Sequence, residues 1–222
     1  AQMPVPEQAV ATKAEPAAKD PERPFPNDSL YALLVAEFAL RRQAYDVTLE
    51  QYMEQSTVLR DPGVSAHTTH LAQFLQREDE ALQSAQQWVE LDPENAEANN
   101  ALAGLLIQKG RTAEALPYLV TVERQTGSAN FSMLLNGFGQ LSDAQRSELL
   151  RAINTVATEF PQNTRLLLTQ ALINAELRQY NQALDDLAKL FNLEPEQPQA
   201  ILLESRILLE QKADKPYARL QR

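Results

Sequence analysis

Asp92-Pro93-Glu94-Asn95-Ala96-Glu97-Ala98-Asn99-Asn100-Ala101-Leu102-Ala103-Gly104-Leu105-Leu106-Ile107-Gln108-Lys109-Gly110-Arg111-Thr112-Ala113-Glu114-Ala115-Leu116 predicts two helices joined by a tight turn. Apolar residues keep helical spacing from about Ala96 to Lys109, Gly110 makes the turn, and a second helix follows from Thr112 to about Gln125. Ala115 permits close approach of the two axes, because a larger side chain would push them apart. Pro93 suits a first helical turn, where its missing N–H would have no partner anyway.

The same features return every 34 residues. Helix breakers stand at Pro93, Gly127, Pro161 and Pro195. Triplets at helix centres stand at Glu80-Ala81-Leu82, Glu114-Ala115-Leu116, Glu148-Leu149-Leu150 and Gln182-Ala183-Leu184, each followed by a larger apolar residue at Trp88, Val122, Val156 or Leu190. The period divides the chain into units at about 29–61, 62–95, 96–129, 130–163 and 164–197, with a truncated unit at 198–222. Some units depart from the pattern. The second has its Leu71-Ala72 pair three residues late, which predicts an irregular first helix or turn. The fourth carries Asn136 where leucine is expected and Gly137 at the small position, and Ser142-Asp143-Ala144-Gln145 has the spacing of a capping box that starts its second helix. The first reads Val35-Ala36 and Tyr45 but has Thr48 for the small residue.

A period of this length, with Leu102-Ala103, Gly110 and Ala115 in one unit and Ala171, Tyr180, Ala183 and Pro195 in another, resembles the tetratricopeptide repeat. The resemblance implies an all-α, right-handed superhelical solenoid in which each unit is a helix–turn–helix. It also implies that the first (A) helices line a concave groove. The groove columns then fall on Leu30, Leu33 and Leu40; His70 and Phe74; Asn100, Gly104, Ile107 and Gln108; Phe131, Leu134, Phe138 and Leu141; Arg165, Leu168 and Leu172; and Leu202, Arg206 and Leu209. The partner-binding set expected from them is Leu33, Leu40, Phe74, Asn100, Ile107, Phe131, Leu134, Phe138, Leu168, Leu172 and Arg206. The alternative is a shift of phase by one residue, which would make such residues core. It stays open above all at 130–141, where Asn136 and Gln140 fall on expected core columns. The family's carboxylate-clamp variant uses lysines and asparagines, and Asn99, Asn100 and Lys109 are the nearest counterparts, with Gln108 where a clamp lysine would help.

The rest of the chain bounds the function. Of its 222 residues 30 are acidic and 20 basic, a net charge of −10, which argues against a nucleic-acid binder. With 44% hydrophobic residues the chain can build a core, but no run is long enough to span a membrane. Cysteine is absent, which excludes disulfides and thiolate chemistry in these residues. Residues 1–28 hold six of the 13 prolines, six alanines and Phe25 as their one aromatic; they read as a disordered tether, or as a processing remnant. Residues 200–211 are apolar around most of the helix, which predicts a cover of further repeats, a partner or self-association.

Catalytic signatures are missing: there is no phosphate loop, nucleophile elbow or His-Glu-x-x-His. His67 and His70 share a helix face, but two imidazoles fall short of a metal site, so no metal or cofactor is expected. The reading is a non-enzymatic scaffold. More closely, Pro24-Phe25-Pro26-Asn27-Asp28-Ser29-Leu30-Tyr31 and the Leu33–Leu40 run after it resemble outer-membrane tetratricopeptide lipoproteins of Gram-negative bacteria. Those proteins bind and activate a carboxyl-terminal processing protease and help deliver cell-wall hydrolases to it. The resemblance implies a periplasmic location, a lipid anchor upstream of Ala1 and further repeats beyond Arg222. The competing readings are an assembly factor for a pilus or secretion system and the regulatory region of a longer enzyme.

Overall fold

The computed structural model describes residues 27–214, except for the side chains of residues 27–33, 36 and 214. The expected tether at 1–28 and the end of the truncated unit at 215–222 therefore lie almost wholly outside the described residues. Every regular element among the described residues is helical. Contacts divide the chain between Gln43 and Ala44. The described part of the first unit is the opening of α1 (Asn27–Leu59), where Leu34, Val35, Phe38 and Leu40 are exposed.

The second unit begins with the remainder of α1, whose Leu49 and Ser56 are buried. No turn separates two helices in residues 29–61, contrary to the helix–turn–helix expected there. Arg41-Arg42-Gln43-Ala44 contains only good helix formers, and α1 continues through them. Then follow α2 (Pro62–Phe74) and α3 (Glu78–Leu91), α4 (Ala96–Gln108) and α5 (Thr112–Thr126), two 3₁₀ turns (Phe131–Leu135 and Phe138–Gln140), α6 (Asp143–Glu159), α7 (Thr164–Glu176) and α8 (Tyr180–Leu193), and α9 (Pro198–Asp214). Helices α2 and α3, α4 and α5, and α7 and α8 are the tightly packed pairs; each pair packs on its neighbour in sequence. This is the tetratricopeptide solenoid.

Local hydrogen bonds repeat with the sequence period. Asp61, Asn95, Asn163 and Gln197 stand at multiples of 34 residues, and each side-chain oxygen accepts the N–H three residues on, at 3.0, 3.0, 3.0 and 2.6 Å. These caps satisfy donors that the first turn of a helix leaves without partners. The caps are asparagines two residues after Pro93 and Pro161, so both prolines sit in the preceding turn rather than in the first helical turn. At the other end Gln76, Gly110 and Arg178 take left-handed φ of 56°, 75° and 58° in equivalent places. The next N–H bonds back to the carbonyl five residues earlier: Arg77 to Ala72 at 2.8 Å, Arg111 to Leu106 at 2.9 Å and Gln179 to Asn174 at 2.8 Å. That closure stops the first helix and turns the chain into the second, and only one of the three positions uses the glycine it favours.

The second repeat is regular, contrary to the expectation from its late Leu71-Ala72 pair. Helix α2 has the same 13-residue length as α4, in register. Thr68 and Thr69 occupy the places of Leu102 and Ala103. Their hydroxyls donate to Val64 O at 2.7 Å and Ser65 O at 2.8 Å, which lets two polar residues sit fully buried.

The fourth repeat breaks the pattern. Ala129 occupies the cap position and has no oxygen to offer; its own N–H is held by Glu123 Oε2 at 2.9 Å. Beyond it Gly137 takes a φ of 69°. The expected A helix over 130–141 is therefore replaced by the two 3₁₀ turns. The segment stays attached because Phe131 and Leu134 are wholly buried among α4, α5 and α7, and Phe138 is nearly so. The capping box at Ser142 and Gln145 then starts α6, with bonds of 3.2 and 2.8 Å.

Three expected groove residues, Phe131, Leu134 and Phe138, are thus core. Deleting the Phe131 ring would leave a cavity in a region with no regular helix to close it. Phe131→Ala should lower stability by about 3–5 kcal/mol, read as a shift of the urea midpoint; a groove residue at that position would leave the midpoint unchanged.

Candidate functional site

Two recesses lie on the A-helix side of the second unit. The larger, about 650 Å³, is bounded by the end of α4 and the non-helical stretch that replaces the fourth A helix. Its walls are Gly104, Ile107, Gln108, Lys109 and Gly110 on one side, and Met133, Asn136, Gly137, Gln140, Leu141 and Gln145 on the other. The smaller, about 480 Å³, is lined by Arg165, Leu168, Thr169 and Leu172 of α7 with Thr164, Asn130, Ser132, Glu194, Gln197 and Gln199. Ser132 and Met133 are neighbours in the first 3₁₀ turn, so that one turn borders both recesses. Both volumes fall in the range of ligand pockets.

The larger recess owes its shape to the failed helix. An A helix in the fourth repeat would place side chains beside α4; the 3₁₀ turns leave the ends of Ile107, Met133 and Leu141 as a floor instead. Ile107 and Leu141 are each 7% exposed. The rim is made of amides. Gln108, Asn136 and Gln140 are exposed, and their side chains form no hydrogen bond with any described residue. No carboxylate lines this recess. Its one cation, Lys109, is committed elsewhere: Nζ lies 2.7 Å from Asp79 Oδ1 and 3.5 Å from Glu78 Oε2. The hydrogen bond with Asp79 raises the Lys109 pKa and lowers that of Asp79, holding both in their charged forms.

The expected groove residues separate into classes. Leu172 lines the smaller recess half-buried, whereas Ile107 and Leu168 border the larger and the smaller recess but are themselves buried in the core. Asn100 is exposed on α4. Phe74 is 73% exposed at the end of α2, with its ring edge-on to Tyr45 at 6.0 Å. Leu40 is exposed in the first unit, and the side chain of Leu33 lies outside the described residues. Arg206 is exposed on α9, with its guanidinium 3.2 Å from Glu176 and 3.7 Å from Glu210. Phe138 is core, with the Arg146 guanidinium 5.1 Å from its ring centre. Two of the carboxylate-clamp counterparts, Lys109 and Asn99, are also committed: Asn99 is buried, and its amide donates to Pro93 O at 2.9 Å and Asn95 O at 2.8 Å. Sequence reasoning missed Met133, Asn136 and Gln140 as lining residues. The signal was Ala129 at the cap position with Asn136-Gly137 and Gly139 downstream.

The two histidines of α2 contact neighbouring side chains. His67 tilts against Tyr52 at 4.9 Å, and His70 contacts Glu97 at 3.1 Å and the Trp88 edge at 5.6 Å. No group of three metal-ligating side chains occurs among the described residues.

Helix α7, which carries the second recess, is held by a buried polar pair. Asn174 Nδ2 donates to Asp186 Oδ2 of α8 at 2.8 Å, while Asn174 Oδ1 is buried without a described partner. Burial pushes the Asp186 carboxyl up to about 6; the Asn174 bond and Lys189 oppose that shift, and Asp185 adds to it. Helix α9 shows the reverse situation. Ile201, Leu208 and Leu209 are exposed, yet the residues 34 positions earlier, Leu167, Asn174 and Ala175, are buried. Among the described residues no helix packs on α9 where α8 packs on α7.

The elements so far define a helix–turn–helix array built on a 34-residue period. Residues 75–136 match the family model described as "Tetratricopeptide repeat". A TPR repeat-containing protein of Pseudomonas aeruginosa is 33% identical over 209 residues, covering 92% of this chain and 34% of that protein. The chain therefore spans about a third of the curated relative it matches. Among solved structures, PilW, a type IV pilus biogenesis factor, aligns at 18% identity and a TM-score of 0.43, over 88% of this chain and 93% of PilW. YrrB, described as a TPR protein with an unusual peptide-binding site, aligns at 16% and 0.42, over 77% of this chain and 88% of YrrB. Period, caps and turns give the described residues the tetratricopeptide-repeat fold, and the family model matches residues 75–136 of it.

The Asp186 pair gives a pH dependence with a definite sign. In the folded state the carboxyl titrates near 6, against an ordinary value of 3.8, so between these values the folded chain binds more protons than the unfolded one. This group therefore adds stability as pH falls from 7 towards 4. Asp186→Asn should raise the melting temperature at pH 7, by up to about 3 kcal/mol of stability, and the gap to the parent should narrow by pH 5. Thermal melts at the two pH values check it.

Proposed function

We propose that this chain is a non-enzymatic adaptor, part of a lipid-anchored assembly at the periplasmic face of the outer membrane. It binds a carboxyl-terminal processing protease and the cell-wall hydrolases that the protease degrades. The observation that carries the adaptor reading is the pair of recesses that share one 3₁₀ turn on the A-helix side. The larger borders Ile107 and carries three amides, Gln108, Asn136 and Gln140, that bond no described residue; the smaller borders Leu168 and Leu172. Such a surface supports recognition of a protein segment. The protease and hydrolase assignment rests on the sequence resemblance at Pro24–Leu40. The exposed leucines of α9 supply a second apolar face for a large partner or a second copy.

The test combines purified chain, processing protease and a cell-wall hydrolase, and follows hydrolase loss on a gel. Addition of the chain should accelerate loss on the order of tenfold, and Leu172→Asp, checked for an unchanged helical spectrum, should abolish most of that gain. No acceleration and no protease binding would overturn the reading. Specific recovery of pilus or secretion components from envelope extract would favour the assembly-factor alternative.

A further inference from the structure

The turn between the two 3₁₀ segments is Asn136-Gly137, the one Asn-Gly step in the chain. Asn136 has φ −65° and ψ 124°, and Gly137 has φ 69° and ψ 12°. These are the central dihedrals of a type II turn, which favours glycine in second place. Both residues are exposed. The Asn136 side chain bonds no described residue, and the Gly137 N–H has no acceptor among them. Beyond the adjoining residues no heavy atom lies within 4 Å of the point where a Gly137 side chain would begin. The Gly137 nitrogen is therefore open to the side-chain carbonyl carbon of Asn136, with no β-carbon in the way. Other asparagines lack these features. Asn95 and Asn163 cap helices through Oδ1, and Asn99 and Asn174 are buried. Asn100 is exposed, but α4 holds the N–H that follows it in the helical ladder. Asn130 precedes the wholly buried Phe131, and its Oδ1 accepts from Ser132 Oγ.

We propose that Asn136 is a site of spontaneous covalent modification, in which its side-chain amide is lost through a ring closed onto Gly137. The Gly137 nitrogen gives its proton to solvent hydroxide and attacks Asn136 Cγ. The new C–N bond closes a five-membered imide ring, and the side-chain nitrogen leaves as ammonia with the returned proton. Water then opens the ring: addition at Cγ leaves aspartate, and addition at the main-chain carbonyl leaves isoaspartate. The net change is hydrolysis of one amide by one water, with nothing oxidised or reduced. Nucleophile and electrophile sit in consecutive residues, so ring closure is unimolecular. The backbone bonds at this turn, Asn136 N–H to Met133 O and Gln140 N–H to Gly137 O, both 3.0 Å, use neither the Asn136 carbonyl nor the Gly137 N–H. Either product puts a carboxylate on the wall of the larger recess, which has none. Isoaspartate also lengthens the main chain of the turn by one methylene. This chemistry belongs to the segment itself and stands apart from the adaptor reading.

The purified 222-residue chain is incubated at mildly alkaline and at mildly acidic pH, digested with trypsin and mapped by tandem mass spectrometry. Trypsin cuts after Arg124 and Arg146, so Asn130 and Asn136 fall in one peptide, as internal control and site. Asn136 should convert progressively to aspartate and isoaspartate, the latter identified by its methylation with isoaspartyl methyltransferase. Conversion should be faster at alkaline pH, because the attacking nitrogen must lose its proton. Asn130 and Asn100 should stay intact over the same time. Asn136→Gln, which would need a larger ring, should abolish the modification at this position and leave the melt unchanged. A blocked peptide spanning residues 131–141 reports the rate without the fold. Conversion in that peptide but not in the folded chain overturns the proposal, as does conversion of Asn130 at the same pace as Asn136. Aspartate formed without isoaspartate, or a rate that ignores pH, overturns the ring route.

Discussion

One hydrogen bond, from the backbone N–H three residues into an A helix to the side-chain oxygen of the residue before it, organises this chain. It recurs at Asp61, Asn95, Asn163 and Gln197. Each instance contributes only about 1 kcal/mol, a small part of what holds the repeat. Its importance is positional: the cap decides where the helix starts and so which residues meet the neighbouring repeat. Where Ala129 stands in its place, the helix does not start. The buried and exposed columns then reassign themselves over the next twelve residues, and a recess opens beside α4.

The array tolerates this defect because its energetics are local. Contacts run between adjacent elements, and the ion pairs Lys109–Asp79, Arg124–Glu159 and Arg206–Glu176 each bridge one repeat to the next. Exposed pairs of this kind contribute little, so stability comes from the buried alanine and leucine columns. Ala81, Ala103, Ala115, Ala171 and Ala183 are wholly buried where two helices cross. In the fourth repeat Leu149 stands in that column, and the larger side chain fits because no regular A helix crosses it. The losses of one repeat are offset by Phe131 and Leu134 anchoring the turn between α4, α5 and α7. Asp186 is a separate concession: a buried carboxyl bonded to a neutral amide costs stability at neutral pH, in a helix pair that otherwise packs as its relatives do.

Much of the fold was legible because the period repeats the same physics several times. Pro93, Pro161 and Pro195 marked the turns, and the alanine column marked the helix crossings. The two left-handed turns at Gln76 and Arg178 were not legible, since neither residue advertises a positive φ; they are imposed by the pairing of the helices. The continuity of α1 was missed for the opposite reason. Its apolar spacing suits one helix or two, and only the lack of a breaker near Arg42 separates them. The site was legible in part. Ile107, Leu168 and Leu172 follow from the column rule, which holds wherever an A helix exists. Phe131, Leu134 and Phe138 obey the same rule on paper, but the helix that would present them never forms. An apolar residue reads the same in sequence whether it lines a groove or fills a core; the missing cap distinguishes the two cases.

The same irregularity bears on what the surface recognises. A chain of net charge −10 projects a negative field, which disfavours acidic ligands at long range. At short range the larger recess withholds both signs of charge, since Lys109 is paired and no carboxylate is present. What remains at that wall is amide, from Gln108, Asn136 and Gln140, over the ends of Ile107, Met133 and Leu141.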